Sequence, residues 1–157
     1  EIDLRKKVWR MPAGKYKSEK DWVIPLTREA IKIIKAQPSA KYQEGRVFST
    51  LDGGKIGDKK LSSMPKALGF DAVFNGFRRT FRTWCQKRKL NNEASELAMK
   101  HLDTSRLKQV YIDDPDGKAM LKERRIILEK YERKAFKLVY SPIATAKVVQ
   151  IGMGASQ

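Results

Sequence analysis

Cysteine and histidine are almost missing from this chain: 157 residues carry one of each, Cys85 and His101. A lone cysteine excludes a disulfide framework, and one cysteine with one histidine leaves no zinc-ligand cluster. The sequence shows no cleavable signal and no long apolar run, so the reading is of a protein that stays in the cytoplasm. Acidic residues are also scarce. Asp plus Glu number 18 against 34 Lys plus Arg, a formal net charge of +16. That imbalance is larger than solubility requires, and the natural partners are polyanions, nucleic acid foremost. An anionic membrane surface fits less well, because the basic residues run along the whole chain instead of forming one block beside an amphipathic anchor.

What the chain does have is enough length and apolar content (41%) for one ordinary core. Two short segments rich in aliphatic and aromatic residues, 6–12 (KKVWRMP) and 21–26 (DWVIPL), flank the polar AGKYKSEK. They predict a β-hairpin with a basic tip, its strands pushed towards an edge by Pro12 and Pro25. LTREAIKIIKAQ predicts a helix with Thr27 as N-cap and Ile31 and Ile34 inward, ending before Pro38. RVFST (46–50) reads as a short strand, and KLSSMPKALGF as a helical stretch begun or interrupted by Pro65.

Helices follow to the end of the core. In FNGFRRTFRTWCQKR (74–88), Phe77, Phe81 and Trp84 recur at helical spacing and predict a buried aromatic stripe, with Arg78 at its edge and Cys85 a small buried hydrophobe. NEASELAMKHL puts Ala94, Leu97, Ala98 and His101 on one side of the next helix; SRLKQVYIDD supplies a short amphipathic piece with Leu107, Val110 and Tyr111. A long charged helix closes the core, with Met120, Ile127, Tyr131 and Leu138 near one stripe, before a tail, 141–157, that loses nearly all charge. The expected fold class is α+β, mostly α-helical with a small N-terminal β-hairpin. The domain spans 1–140, and the tail is a loose end or an arm docking on a neighbour.

Singly, the polar candidates have ordinary explanations: His101 as a satisfied core histidine, Tyr111 as packing, Lys17 as one solvated lysine among several, Arg78 as half of an ion pair. Their order suggests more. NGFR (75–78), LAMKH (97–101), VY ending at Tyr111, and WRMPAGKYKSEKDWVIPL with Lys17 near its middle resemble the catalytic domain of the tyrosine recombinases, the phage-integrase family, of the prophage and genomic-island type. The resemblance covers roughly 1–136. It implies a recombinase-like α+β catalytic domain, and site-specific recombination of double-stranded DNA by cleavage and rejoining through a 3′-phosphotyrosine.

Under that resemblance Tyr111 is the nucleophile, Arg78 grips the scissile phosphate, His101 donates to a non-bridging oxygen, and Lys17 protonates the departing 5′ oxygen. These residue types suit phosphoryl transfer, which needs an in-line nucleophile, a leaving-group acid and fixed cations around the phosphate. No cofactor or metal is implied. The implied setting is a homotetramer on DNA attachment sites in a bacterial nucleoid, with accessory DNA-bending or excisionase proteins as further partners.

Two departures stand out. Asn75 occupies the place of the family's histidine, and asparagine cannot titrate near neutrality. The opening EIDLRKK reads as the end of an element already under way, so the family's first arginine is expected upstream of Glu1. The alternatives to an active recombinase are a weakened or inactive DNA-binding relative and, from another class, a general basic nucleic-acid-binding helical domain.

Overall fold

The structure is a computed structural model that describes residues 1–15, 20–42, 45–50, 52–101, 109–110, 113–114 and 116–139. Its first element is a three-stranded antiparallel meander of β1 (Ile2–Asp3), β2 (Val8–Met11) and β3 (Trp22–Pro25), with β2 in the centre. β2 and β3 form the expected hairpin in the register Val8↔Pro25 to Met11↔Trp22, and β1 adds a two-residue strand too short to be read from sequence. Trp22 and Val23 are neighbours and both are buried, so β3 is covered on both faces.

Five α-helices follow among the described residues: α1 (Arg28–Lys35), α2 (Asp58–Ala67), α3 (Phe74–Lys87), α4 (Asn92–Ala98) and α5 (Leu121–Val139), with a 3₁₀ turn at Pro38–Lys41. The architecture is α+β with a small antiparallel sheet. None of these helices is long and apolar enough to cross a membrane.

Thr27 is the N-cap of α1, as its residue type predicts, but its side chain makes no capping bond. The carboxylate of Glu132, on α5, takes the Glu29 N–H instead, at 3.0 Å from both oxygens. A negative group from a distant helix thus satisfies one of the orphan donors at this positive helix end. Ile31 and Ile34 are only half-buried. Pro65 lies in the last turn of α2 and is buried. The strand expected at RVFST does not form, since 46–50 has no pairing partner among the described residues.

The core has two joined parts. Phe81 and Cys85 of α3, Ala94 of α4 and Ile127 of α5 form one, with Trp84 and Tyr131 packed against it. Phe81 meets Tyr131 edge-on at 5.0 Å, and Trp84 meets the same ring at 5.2 Å. Trp22 and Leu97 form the other, with Val110 against them and Met120 bridging both parts. Burial pushes the Cys85 thiol up to about 11, helped by the nearby Glu96 charge, in keeping with its reading as an inert buried hydrophobe. The aromatic stripe is shorter than its period suggests: Phe77 is 55% exposed and packs on Phe74 at the free end of α3. Only from Phe81 onward does α3 run beneath α4 and α5.

The inner stripe of α5 holds Ile127 and Tyr131, while Met120, expected on the same helix, takes φ +48 just before it and packs on the core from there. The stripe also holds a residue the sequence reading left out: Arg124, buried to 1% exposure. Its Nη1 donates to the Val23 carbonyl at 2.9 Å and its Nη2 to that of Gly117 at 3.3 Å, while the guanidinium lies 4.6 Å from the centre of the Trp22 ring. The Gly117 carbonyl also accepts from Val23 N–H at 2.9 Å, so the turn at 117 covers the outer edge of β3. Gly117 has φ +64, and a Cβ there would stand 2.1 Å from the Asp21 carbonyl oxygen. Burial lowers the Arg124 pKa to about 10, with Asp114 opposing the shift, so the group stays charged at neutral pH. The side chain of Leu138, residues 105–108 and 111–112 of the short amphipathic piece (Leu107 and Tyr111 among them), and the tail at 141–157 lie outside the described residues.

Candidate phosphate-binding site at the end of α4

α3 and α4 both end in the same backbone device. After α3, Lys89 takes φ +52, its N–H bonds to Gln86 O, and Leu90 N–H reaches back to Cys85 O. After α4, Lys100 takes φ +53, its N–H bonds to Leu97 O, and His101 N–H reaches back to Glu96 O at 2.9 Å. These are Schellman closures with lysine where glycine is usual. The first delivers Leu90 to the core and Asn91 to the start of α4, where the Asn91 side chain accepts from Ala94 N–H at 3.0 Å. The second ends α4 at Ala98, so His101 is not on the helix face that its spacing suggested. It sits past the end, folded back over Glu96.

That fold-back sets the chemistry. Glu96 is one turn inside α4 and its side chain is 5% exposed. One carboxylate oxygen lies 2.7 Å from His101 Nδ1. The other lies 2.8 Å from Arg82 Nε on α3, an ion pair in which the N–H is not aimed along a hydrogen bond. A carboxylate this deep is tolerated where cations and donors surround it. Its two partners reach the surface: the Arg82 side chain is 48% exposed and that of His101 34%.

Arg78 stands one turn before Arg82 on α3, so both project from the same side of the helix. It is exposed, and its Nη2 donates to the Met99 carbonyl at 2.7 Å, two residues before His101. Two of the residues singled out from sequence, Arg78 and His101, are therefore gathered at the C-terminal end of α4. Asn75 lies in the first turn of α3 and is exposed. Lys17 and Tyr111 fall outside the described residues. Val110, the residue bonded to Tyr111, packs against the Trp22–Leu97 cluster.

Sequence reasoning missed Glu96 and Arg82. The signal was present: Glu96 follows Ser95 and precedes Leu97 in a stretch that is otherwise apolar on its inner side, and Arg82 repeats Arg78 at i+4. Chemically, a guanidinium and an imidazole held on one rim, backed by a buried carboxylate, suit an oxyanion with several equatorial oxygens better than a neutral ligand. Comparison of the chain with protein-family models, with curated proteins and with solved structures finds no match in any of the three.

Proposed function

We propose that this chain carries a tyrosine-recombinase catalytic domain, which cleaves and rejoins duplex DNA at specific sites through a covalent bond to Tyr111. The observation that carries the reading is the juxtaposition of Arg78 with the His101 turn: Arg78 Nη2 on the Met99 carbonyl puts a guanidinium two residues from the chain's one imidazole. The +16 charge supports a polyanionic substrate. In this reading Arg78 clamps the scissile phosphate, His101 donates from its ring to a non-bridging oxygen, and Lys17 gives a proton to the 5′ oxygen as it leaves. The Tyr111 oxygen gives up its proton to water and forms a bond to phosphorus as the bond to the 5′ oxygen breaks, so the energy of the phosphodiester is kept for rejoining.

Asn75 favours a second reading, a relative that binds DNA but cuts it slowly or not at all. Asparagine hydrogen-bonds but accepts no proton near neutrality. The experiment that separates the two uses the entire natural polypeptide and a duplex attachment site nicked beside the scissile phosphate, so that the cleaved end diffuses away. A protein–DNA adduct that survives denaturation and disappears in Tyr111→Phe supports the recombinase. Salt-sensitive binding with no adduct supports the second reading and overturns the first.

A further inference from the structure

We propose that Glu96 is a positioning residue for His101: its buried carboxylate fixes the orientation of the imidazole and sets it as the Nδ1–H form. The proposal rests on the recombinase reading for its purpose, and on the geometry alone for its chemistry.

Three observations carry it. The first is the double tether, in which His101 N–H bonds to the Glu96 carbonyl at 2.9 Å and Nδ1 lies 2.7 Å from the Glu96 carboxylate. Backbone and side chain of one residue thus hold backbone and side chain of the other, and the ring has little freedom left to turn. The second is the fixing of the carboxylate itself. Arg82 Nε stands 2.8 Å from its other oxygen, and its side chain is 5% exposed, so water competes poorly for it. The third is chemical. A carboxylate accepts but does not donate, so the ring nitrogen facing it carries the proton. The ring is then the mirror of an unconstrained histidine, which in water prefers its proton on Nε2. The proton on Nδ1 stays directed to Glu96 whether the ring is neutral or charged, so a change of protonation falls on Nε2.

Behind metal-bound histidines a carboxylate sets tautomer and orientation, and its loss lowers metal affinity or activity by roughly tenfold to a hundredfold; an effect of the same order is expected for this pair. The competing explanation is that Glu96 only staples α3 to α4 through Arg82, with His101 an incidental neighbour.

Because His101 is the one histidine in the chain, its two imidazole nitrogen resonances overlap with those of no other histidine and are told apart by their couplings to the ring Hδ2 and Hε1 protons. In the ¹⁵N-labelled chain, under conditions where the ring is neutral, the expected spectrum has Nδ1 of the protonated type and Nε2 of the unprotonated type. Glu96→Ala, which removes the acceptor, should shift the two resonances towards the values of free histidine, and Glu96→Asp should restore part of the difference, with backbone amide spectra showing that each variant is folded. A wild-type ring protonated on Nε2, or a Glu96→Ala spectrum unchanged from wild type, overturns the proposal, and the wild-type measurement stands even where a variant does not fold. In the entire polypeptide, Glu96→Gln and His101→Asn should each slow adduct formation by about tenfold to a hundredfold, and the double variant should be no slower than His101→Asn alone. Slowing that multiplies in the double variant means that Glu96 acts elsewhere. No adduct from the wild type would sink the recombinase reading alone, since the spectrum reads the contact without any reaction.

Discussion

Two buried charges organise this molecule, and they are used differently. Arg124 on α5 spends its hydrogen bonds on backbone, the carbonyls of Val23 and Gly117, and lays its plane against Trp22. Every described partner of its guanidinium is interior, and the result is a clamp joining α5, the outer edge of β3 and the turn at 117. Glu96 on α4 turns its carboxylate to two side chains, Arg82 and His101, both partly open to solvent. A buried charge satisfied by backbone holds a fold together; under the proposed function, one satisfied by rim side chains holds those side chains in place for a ligand. The account therefore expects damage at the clamp to appear as lost stability and damage at the rim to appear as lost rate.

The largest effect belongs to the rim. Arg78→Ala in the entire polypeptide should lower the rate of adduct formation about a hundredfold to a thousandfold, the cost of removing one preorganised cation from a transition state. Its stability should fall by only about 1 kcal/mol, the worth of the hydrogen bond to Met99 O. Single-turnover cleavage and urea denaturation on the same preparation check both halves, and a large stability loss with an unchanged rate would reverse the assignment of this region.

Next comes the clamp. Gly117→Ala forces a side chain into φ +64 with its Cβ 2.1 Å from the Asp21 carbonyl oxygen, and the turn must move off β3. A loss of roughly 3 kcal/mol is expected. Denaturation midpoints test it, and a midpoint within experimental error of wild type would mean that the turn at 117 does not cover the β3 edge.

Arg124→Met should cost less, about 2 kcal/mol, because the lost charge-assisted bonds are partly offset by relief of desolvation. The Gly117 carbonyl keeps its bond from Val23 N–H, and methionine fills most of the space over Trp22. Thermal unfolding measures this, with nucleic-acid affinity as the control expected to change little at constant salt. An affinity loss as large as that of Arg78→Ala would place Arg124 in the binding surface and dissolve the contrast.

Much of the fold was legible because local chemistry and tertiary packing agreed. Two segments rich in aliphatic and aromatic residues, around Trp9 and Val23, with a polar stretch between them predict the hairpin that forms, and the Phe77–Phe81–Trp84 spacing predicts α3, whose face is buried from Phe81 on. The misses share a cause, that a residue's fate was decided by something distant in sequence. Phe77 has the right period but projects past the helices that would cover it. RVFST has strand-forming residues and no described strand to pair with. His101 looked like the next face residue of α4 because Lys100, unlike glycine, gives no sign of adopting a left-handed backbone. Arg124 occupies the stripe of Ile127 and Tyr131, yet an arginine in a helix so rich in charge reads as solvent-facing until Val23 and Gly117 are seen beside it. Of the candidate site, Arg78 and His101 were found through the order of residues and are brought to one end of α4, whereas Glu96 signals itself only as a carboxylate in an inner apolar stretch, and the turn after Ala98 is what shows His101 to be its partner.

The claim that Tyr111 attacks phosphorus is tested most directly by finding the atom to which DNA becomes attached. The entire polypeptide is reacted with the nicked duplex, digested with trypsin and nuclease, and the nucleotide-bearing peptide is sequenced by mass spectrometry. The account predicts one modified peptide, Gln109 to Lys118, with the phosphate on Tyr111. A nucleotide on Tyr131, on Tyr140 or on any residue other than Tyr111, or no nucleotide at all on a protein that is folded and bound to the duplex, would contradict it.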